Sequence, residues 1–177
     1  MSQPLEQPTI ASLIPRAVGS QRLLSSELGA WVMVGPRPAE EGDEWSFRTL
    51  STRTLRDAAG KIEAVLDATF VVYPLRKARP DGPFRSTILV GRSRTNDICI
   101  PHSSVSKLHA RIRTDDRGAL FVSDAGSSNG TALEGSDLKA DEERPLVSGL
   151  HLRFGACAVQ VFDSERFVAM LLRFDEG

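Results

Sequence analysis

Soft metal ligands are scarce in this chain, with two cysteines and three histidines in 177 residues. No Cys-x-x-Cys or His-x-x-x-His pair occurs among them, so nothing in the spacing anchors a zinc site and none is expected. Cys99 and Cys157 sit in the short apolar runs Ile98-Cys99-Ile100 and Ala156-Cys157-Ala158-Val159. They read as small core residues rather than as a disulfide. Net charge is also nearly absent, at −1. That excludes an overall basic field for nucleic acid and confines any anion site to a local cluster. No apolar run approaches the length of a membrane span. The start, Met1 to Pro8, lacks the positive end and apolar core of a signal peptide, and the expected compartment is the cytoplasm. Internal repeats and low-complexity tracts are missing too. The hydrophobic content of 41% is enough for a packed core, and the length suits one domain with an extension or two small lobes.

The first third of the chain carries mixed signals. Thr9 to Pro15 is mixed apolar and polar. Ser20 to Leu28 has a helix pattern: Ser20 caps it, Leu23, Leu24 and Leu28 share a face, and Gly29 ends it. Ala30 to Val34 reads as a buried strand, Gly35 to Glu44 as a loop, and Trp45 to Leu50 as an alternating strand. Ser51 to Asp67 is ambiguous, because Leu55, Ala58, Ala59, Ile62, Val65 and Leu66 have helical spacing that Gly60 interrupts. From Ala68 onward the pattern is short strands between turn residues. Strands are expected over Phe70–Leu75, Phe84–Val90, Ile98–Ile100, His109–Thr114, Leu120–Asp124, near Leu146, and over Leu150–Phe154 and Ala156–Phe162, with a turn at Ala78 to Pro83. Many short strands at such intervals indicate a sandwich. The period changes again at the end. Asp163 or Ser164 caps a helix to about Phe174, with Phe167, Met170, Leu171 and Phe174 as its apolar stripe.

Within the β-rich part, Gly91 to Thr131 concentrates the polar chemistry. Gly91-Arg92, Ser106-Lys107-Leu108-His109 and Ser127-Ser128-Asn129-Gly130-Thr131 occupy loops between strand-like runs. An arginine, a lysine, several hydroxyls and an asparagine suit an anion, since they supply charge together with neutral donors. These three motifs, in this order, resemble those of the forkhead-associated family, over roughly residues 69–163. The resemblance implies a mainly β, forkhead-associated-type sandwich that reads phosphothreonine. Around it the chain divides into an N-terminal α+β extension of unknown role (1–68), the sandwich (69–163) and a short C-terminal helix (164–177). The resemblance also implies that Arg92 and Ser106 contact phosphate, that Lys107 and Ser128 assist, and that Asn129 holds the peptide backbone. Gly91, His109, Gly130 and Thr131 are implied to support the loops. Arg94 is a candidate for selecting a residue after the phosphothreonine.

The implied partner is a protein phosphorylated by a Ser/Thr kinase, with no cofactor, nucleic acid or membrane involved. A rival reading makes the sandwich a structural module that binds an unphosphorylated partner by surfaces away from Arg92. A further rival, an enzyme with Cys99 or Ser106 as nucleophile, lacks a base with an orienting partner. One candidate ligand lies in the chain itself. Thr54-Leu55-Arg56-Asp57 follows Arg48 and Arg53, and phosphorylated Thr54 is a candidate for occupying the Arg92 site within one molecule or between two.

Overall fold

The computed structural model describes residues 7–38, 52–78 and 85–175. These form three helices, α1 Ile10–Gly19, α2 Gln21–Leu28 and α3 Ser164–Asp175, and thirteen strands. One sheet has six strands. In spatial order they are β10 (Ser136–Asp137), β9 (Thr131–Leu133), β12 (His151–Phe154), β13 (Cys157–Asp163), β1 (Trp31–Gly35) and β4 (Val71–Pro74). The second has five: β11 (Arg144–Leu146), β8 (Leu120–Asp124), β7 (Ala110–Thr114), β5 (Thr87–Gly91) and β6 (Ile98–Cys99). A separate hairpin pairs β2 (Thr52–Arg56) with β3 (Ile62–Asp67). The architecture is the mainly β sandwich expected, with helices near both ends.

Alternation along the strands sorts side chains between two cores. Val90, Ile112, Val122, Phe154 and Val161 point from the two sheets into one shared core. The six-stranded sheet has a second buried face. On β1, Met33 belongs to the sandwich core while Val32 and Val34 face a second core built with α1, α2, α3 and the hairpin. A strand buried on both sides has to be apolar at nearly every position, which accounts for the run Trp31-Val32-Met33-Val34. This strand, drawn from the segment assigned to the extension, pairs with β13 and with β4 and lies inside the sandwich sheet.

Helix α1 is the element the periodicity left unassigned. Thr9 and Ser12 cap it reciprocally, and Pro15 stands inside it. Its first two amides donate to carbonyls of the adjacent segment, Ile10 to Phe70 and Ala11 to Ala68. Those bonds satisfy two of the donors a helix start leaves open. Helix α2 begins at its Ser20 cap and ends at Gly29 as the sequence predicts, with Leu24 and Leu28 buried. Leu23 departs from the expectation at 67% exposed, because it points outward, beyond the face that meets α3.

The hairpin resolves the ambiguous stretch Ser51 to Asp67 against a helix. Strand pairing wins because Leu55, Ala64 and Leu66 bury themselves against the helices, while Asp57 accepts from the Ala59 and Lys61 amides to close the turn around Gly60. Helix α3 holds this hairpin in place: Arg166 and Arg173 converge on the Glu63 carboxylate, each at 2.6 Å. Burial raises the Glu63 carboxyl, but the two guanidiniums outweigh it and hold it below its ordinary value. The strand expected at Trp45–Leu50 and most of the turn expected at Ala78–Pro83 lie outside the described residues. No helix among the described residues is long and apolar enough to cross a membrane.

The stripe of α3 is buried as expected, with Phe167, Met170, Leu171 and Phe174 all within the second core and Phe167 stacked on Phe162. Phe167→Ala is therefore expected to lower unfolding free energy by about 3–5 kcal/mol, read from urea denaturation. A loss below about 1 kcal/mol would show that α3 is not integral to the fold.

Candidate functional site

The residues singled out by the loop motifs converge at one end of the sandwich, on the connections β5–β6, β6–β7 and β8–β9. Arg92 follows the last residue of β5, and its backbone is fixed by a 2.8 Å bond from its amide to the Ser106 carbonyl. The next amide, Ser93, donates to the Lys107 carbonyl, so the β5–β6 connection runs along Ser106-Lys107. Gly91 permits this approach, since a side chain there would collide with the Lys107 carbonyl and come within 2.8 Å of Asn96 Nδ2. Asn96 itself, 8% exposed, donates to the carbonyls of Lys107 and Ser93 at 2.6 and 2.9 Å.

His109 joins the two loops that carry the remaining candidates. Its ring is fully buried. The Ser106 amide donates to Nδ1 at 3.0 Å, and Nε2 lies 3.0 Å from the Gly130 carbonyl. An amide only donates and a carbonyl only accepts, so this pair of partners selects the neutral tautomer with hydrogen on Nε2. Burial pushes the His109 pKa below its ordinary value, against the Gly130 carbonyl and the Asp124 charge, which pull it up. Phe154 packs edge-on against the ring at 5.8 Å.

The β8–β9 loop is shaped from beneath by Asp124. Its carboxylate accepts from the Gly126 and Ser127 amides, the Ser127 hydroxyl and the Thr131 hydroxyl, at 2.7–2.8 Å. Burial raises this carboxyl, and the four donors more than offset it, holding the pKa below the ordinary range. Gly130, at φ +74°, makes the turn that brings Asn129 back over the β6–β7 loop. There Asn129 Nδ2 donates to the Ser104 carbonyl at 2.8 Å, and the Ser128 amide donates to Ser106 Oγ at 3.0 Å.

These bonds leave defined capacity for a ligand. Ser106 Oγ accepts from Ser128, so its own hydrogen is available to donate outward. Arg92 spends only Nε, on the Val105 carbonyl at 3.1 Å, which orients the guanidinium and leaves four N–H groups. Asn129 keeps its oxygen and one N–H. Arg92, Arg94 and Lys107 are exposed and make no ion pair among the described residues, whereas Arg111, Arg113, Arg144, Arg153, Arg166 and Arg173 are each matched to a carboxylate. Three cations on two adjoining connections thus form a local positive spot within a chain of net charge −1. Thr131 is buried on Asp124, whereas Arg94 stands apart from the interlocked set, two residues beyond Arg92 on the β5–β6 connection.

Asn96, Asp124 and Ser104 hold the site and were given no role from sequence. Asp124 with a hydroxyl three residues on is a legible capping pattern. Asn96 offers no such signal, because the bond that ties it across the site, to the Lys107 carbonyl, reaches eleven residues along the chain. The two thiols do not suit nucleophilic chemistry: burial raises the pKa of both Cys99 and Cys157, the opposite of activation. No cluster of three or more metal-ligating side chains occurs among the described residues.

Residues 88–155 match the family model described as the FHA domain. Over 93 residues the chain is 36% identical to the protein phosphatase 1 regulatory inhibitor subunit PPP1R8 homolog of Arabidopsis thaliana. That match takes in 48% of this chain and spans about a quarter, 25%, of that relative's length. Among solved structures, an FHA domain of an Arabidopsis thaliana hypothetical protein is 26% identical, with 77% of this chain and 87% of that one covered and a TM-score of 0.45. The N-terminal FHA domain of S. cerevisiae Rad53p, solved with a phosphothreonine peptide, is 22% identical over 49% of this chain and 74% of that one, with a TM-score of 0.43.

The His109 geometry sets a pH dependence. In the unfolded chain the imidazole gains its proton near its ordinary value of 6.5, while in the folded chain it resists. The unfolded state thus binds more protons below about pH 6.5, and stability falls as pH drops through that window. Asp124 adds a separate loss only lower, as pH falls below its ordinary 3.8 towards its depressed folded value. Thermal melts between pH 7 and 5 are expected to show the first decline in the wild type and a flatter profile in His109→Gln. At pH 7 His109→Gln is expected to be less stable by about 1–3 kcal/mol, because a buried Ser106 amide or Gly130 carbonyl loses its partner. Parallel pH profiles for the two proteins would remove His109 as the titrating group.

Proposed function

We propose that this chain, which carries an FHA domain over residues 88–155, binds phosphothreonine segments of partner proteins and acts as an interaction module in Ser/Thr kinase signalling. The observation that carries this reading is the set of exposed cations, Arg92, Arg94 and Lys107, with no carboxylate partner among the described residues, beside a Ser106 hydroxyl that accepts from the Ser128 amide and has its hydrogen left to donate. A phosphate ester brings about −1.5 to −2 charges and strong acceptor oxygens, the complement of that set. In the proposal Arg92 and Ser106 contact the phosphate, Lys107 and Ser128 assist, Asn129 brackets the adjacent peptide backbone, and Arg94 reads a residue further along. Three charge-assisted hydrogen bonds at roughly 1.5–3 kcal/mol each, against at least ~4 kcal/mol of ordering cost, leave at most about 5 kcal/mol, a dissociation constant of a few tenths of a millimolar, so contacts to the peptide on either side of the phosphate have to supply any tighter binding.

An internal ligand is the weaker use of the site. Thr54 is exposed on β2, but its backbone stands in register with Val65 of β3. Reaching Arg92 would require peeling the strand from its hairpin. A partner protein supplies an extended segment without that cost. Phosphorylating the chain and measuring its mass and peptide affinity separates the two, because an occupied site shows as weakened peptide binding or as dimer.

Titration calorimetry of a peptide drawn from a phosphothreonine array, beside its unphosphorylated copy, tests the main reading. Phosphorylation is expected to strengthen binding by at least about tenfold. Arg92→Ala and Ser106→Ala are expected to abolish the difference, with Arg92→Ala melting within about 2 °C of wild type, since an exposed side chain adds little stability, and Ser106→Ala somewhat lower, since the Ser128 amide loses its partner. Equal binding of both peptides would favour instead a module that docks its partner away from Arg92.

A further inference from the structure

Two consecutive backbone amides of the β12–β13 turn reach the two candidate loops. The Gly155 amide donates to the Gly130 carbonyl at 3.0 Å, the same oxygen that faces the His109 ring. The Ala156 amide donates to Ser104 Oγ at 2.9 Å. Ser104 is where the β6–β7 loop meets the candidate ligand groups. Its carbonyl takes the Asn129 side chain, and the next carbonyl, Val105, takes Arg92 Nε. His102 holds the other side of Ser104, with Nδ1 at 3.1 Å from its amide and 2.8 Å from its hydroxyl. The turn packs so closely that a Cβ on Gly155 would collide with the Ser104 carbonyl and lie 2.7 Å from its hydroxyl, and Gly155 sits at φ +58°.

We propose that Ser104 and Gly155 are positioning residues of the phosphopeptide site, with the β12–β13 turn setting the height of the β6–β7 loop beneath Asn129 and Arg92. The proposal rests on the reading of that site given above. Neither residue has a spare group for a ligand in this arrangement. Their effect is to hold Asn129 in a ligand-ready orientation before binding, so that its ordering does not weaken the complex. Removing the Ser104 hydroxyl releases the loop from the turn. Adding a methyl at Gly155 pushes the Ser104 carbonyl away from Asn129.

The test is a double-mutant cycle with the array-selected phosphothreonine peptide, followed by NMR titration to millimolar peptide so that weak variants still give a constant. Ser104→Ala is expected to weaken binding about tenfold and Gly155→Ala at least as much, with Ser104→Ala melting close to wild type. If Ser104 acts through Asn129, the two losses are not additive. In an Asn129→Ala background, Ser104→Ala is then expected to cost less than about twofold. A merely structural weakening would persist in full in that background, and that result, or wild-type affinity in Ser104→Ala, would overturn the proposal. Should Gly155→Ala fail to fold, the Ser104 cycle decides alone. If the wild type shows no preference for the phosphorylated peptide, the reading of the site falls and this proposal falls with it. If the preference stands while the Ser104 losses add, only the positioning role is lost.

Discussion

One neutral imidazole carries the arrangement at the loop end. His109 takes an amide hydrogen from Ser106 on one nitrogen and gives its own to the Gly130 carbonyl on the other. The two loops it joins approach from different strand pairs and share no ladder of their own. A charged ring would present a second donor to the Ser106 amide, and an apolar residue would leave both backbone groups unpaired inside the protein. Desolvation and geometry thus agree: the ring that fits is also the ring that burial keeps neutral. Around it, Asp124 and Asn96 do similar work with side-chain acceptors and donors, and loop shape follows from a few buried polar groups rather than from apolar packing.

This explains how exposed recognition groups coexist with a rigid frame. Arg92, Lys107, Ser128 and Asn129 face solvent, yet the backbones of the first three are bonded to Ser106, Ser93 and Asn96, and Asn129 is held by its side chain on the Ser104 carbonyl. Loops stiffened in this way lose less entropy on binding than mobile ones. Several cations elsewhere on the surface are matched. Arg111 and Arg113 on β7 meet Asp141 and Glu143, and Arg153 meets Asp137. At the loop end it is the clustering of Arg92, Arg94 and Lys107 that concentrates positive potential, because paired surface ions add little field of their own.

Much of this was legible in sequence, for identifiable reasons. Period-two patterns with turn residues gave most of the sandwich strands, and the three ordered loop motifs pointed to the family that the match over 88–155 supports. The C-terminal helix was clear because its stripe has no competing signal. Helix α1 was hidden by Pro15 and by a cap whose reciprocal partner is Ser12 rather than an acid. The hairpin was hidden because Leu55, Ile62, Val65 and Leu66 also satisfy a helical spacing, and only the tertiary contacts with α3 decide between the two. Asn96 and Ser104 were hidden for another reason: their bonds join residues distant in the chain, to which no local pattern points.

The match to the FHA domain spans 88–155, but the folding unit is wider. Strand β1 lies between β13 and β4, with Val32 opposite Phe162 on one side and Pro74 on the other. A fragment cut at residue 69 or 88 would therefore split a sheet down its middle instead of trimming an appendage. It would leave β13 with an open edge and strip the cover from apolar side chains on its outer face. Such exposed edges invite pairing between chains. A shortened version that aggregates would then report on the missing strand, and say nothing about whether the loops can bind.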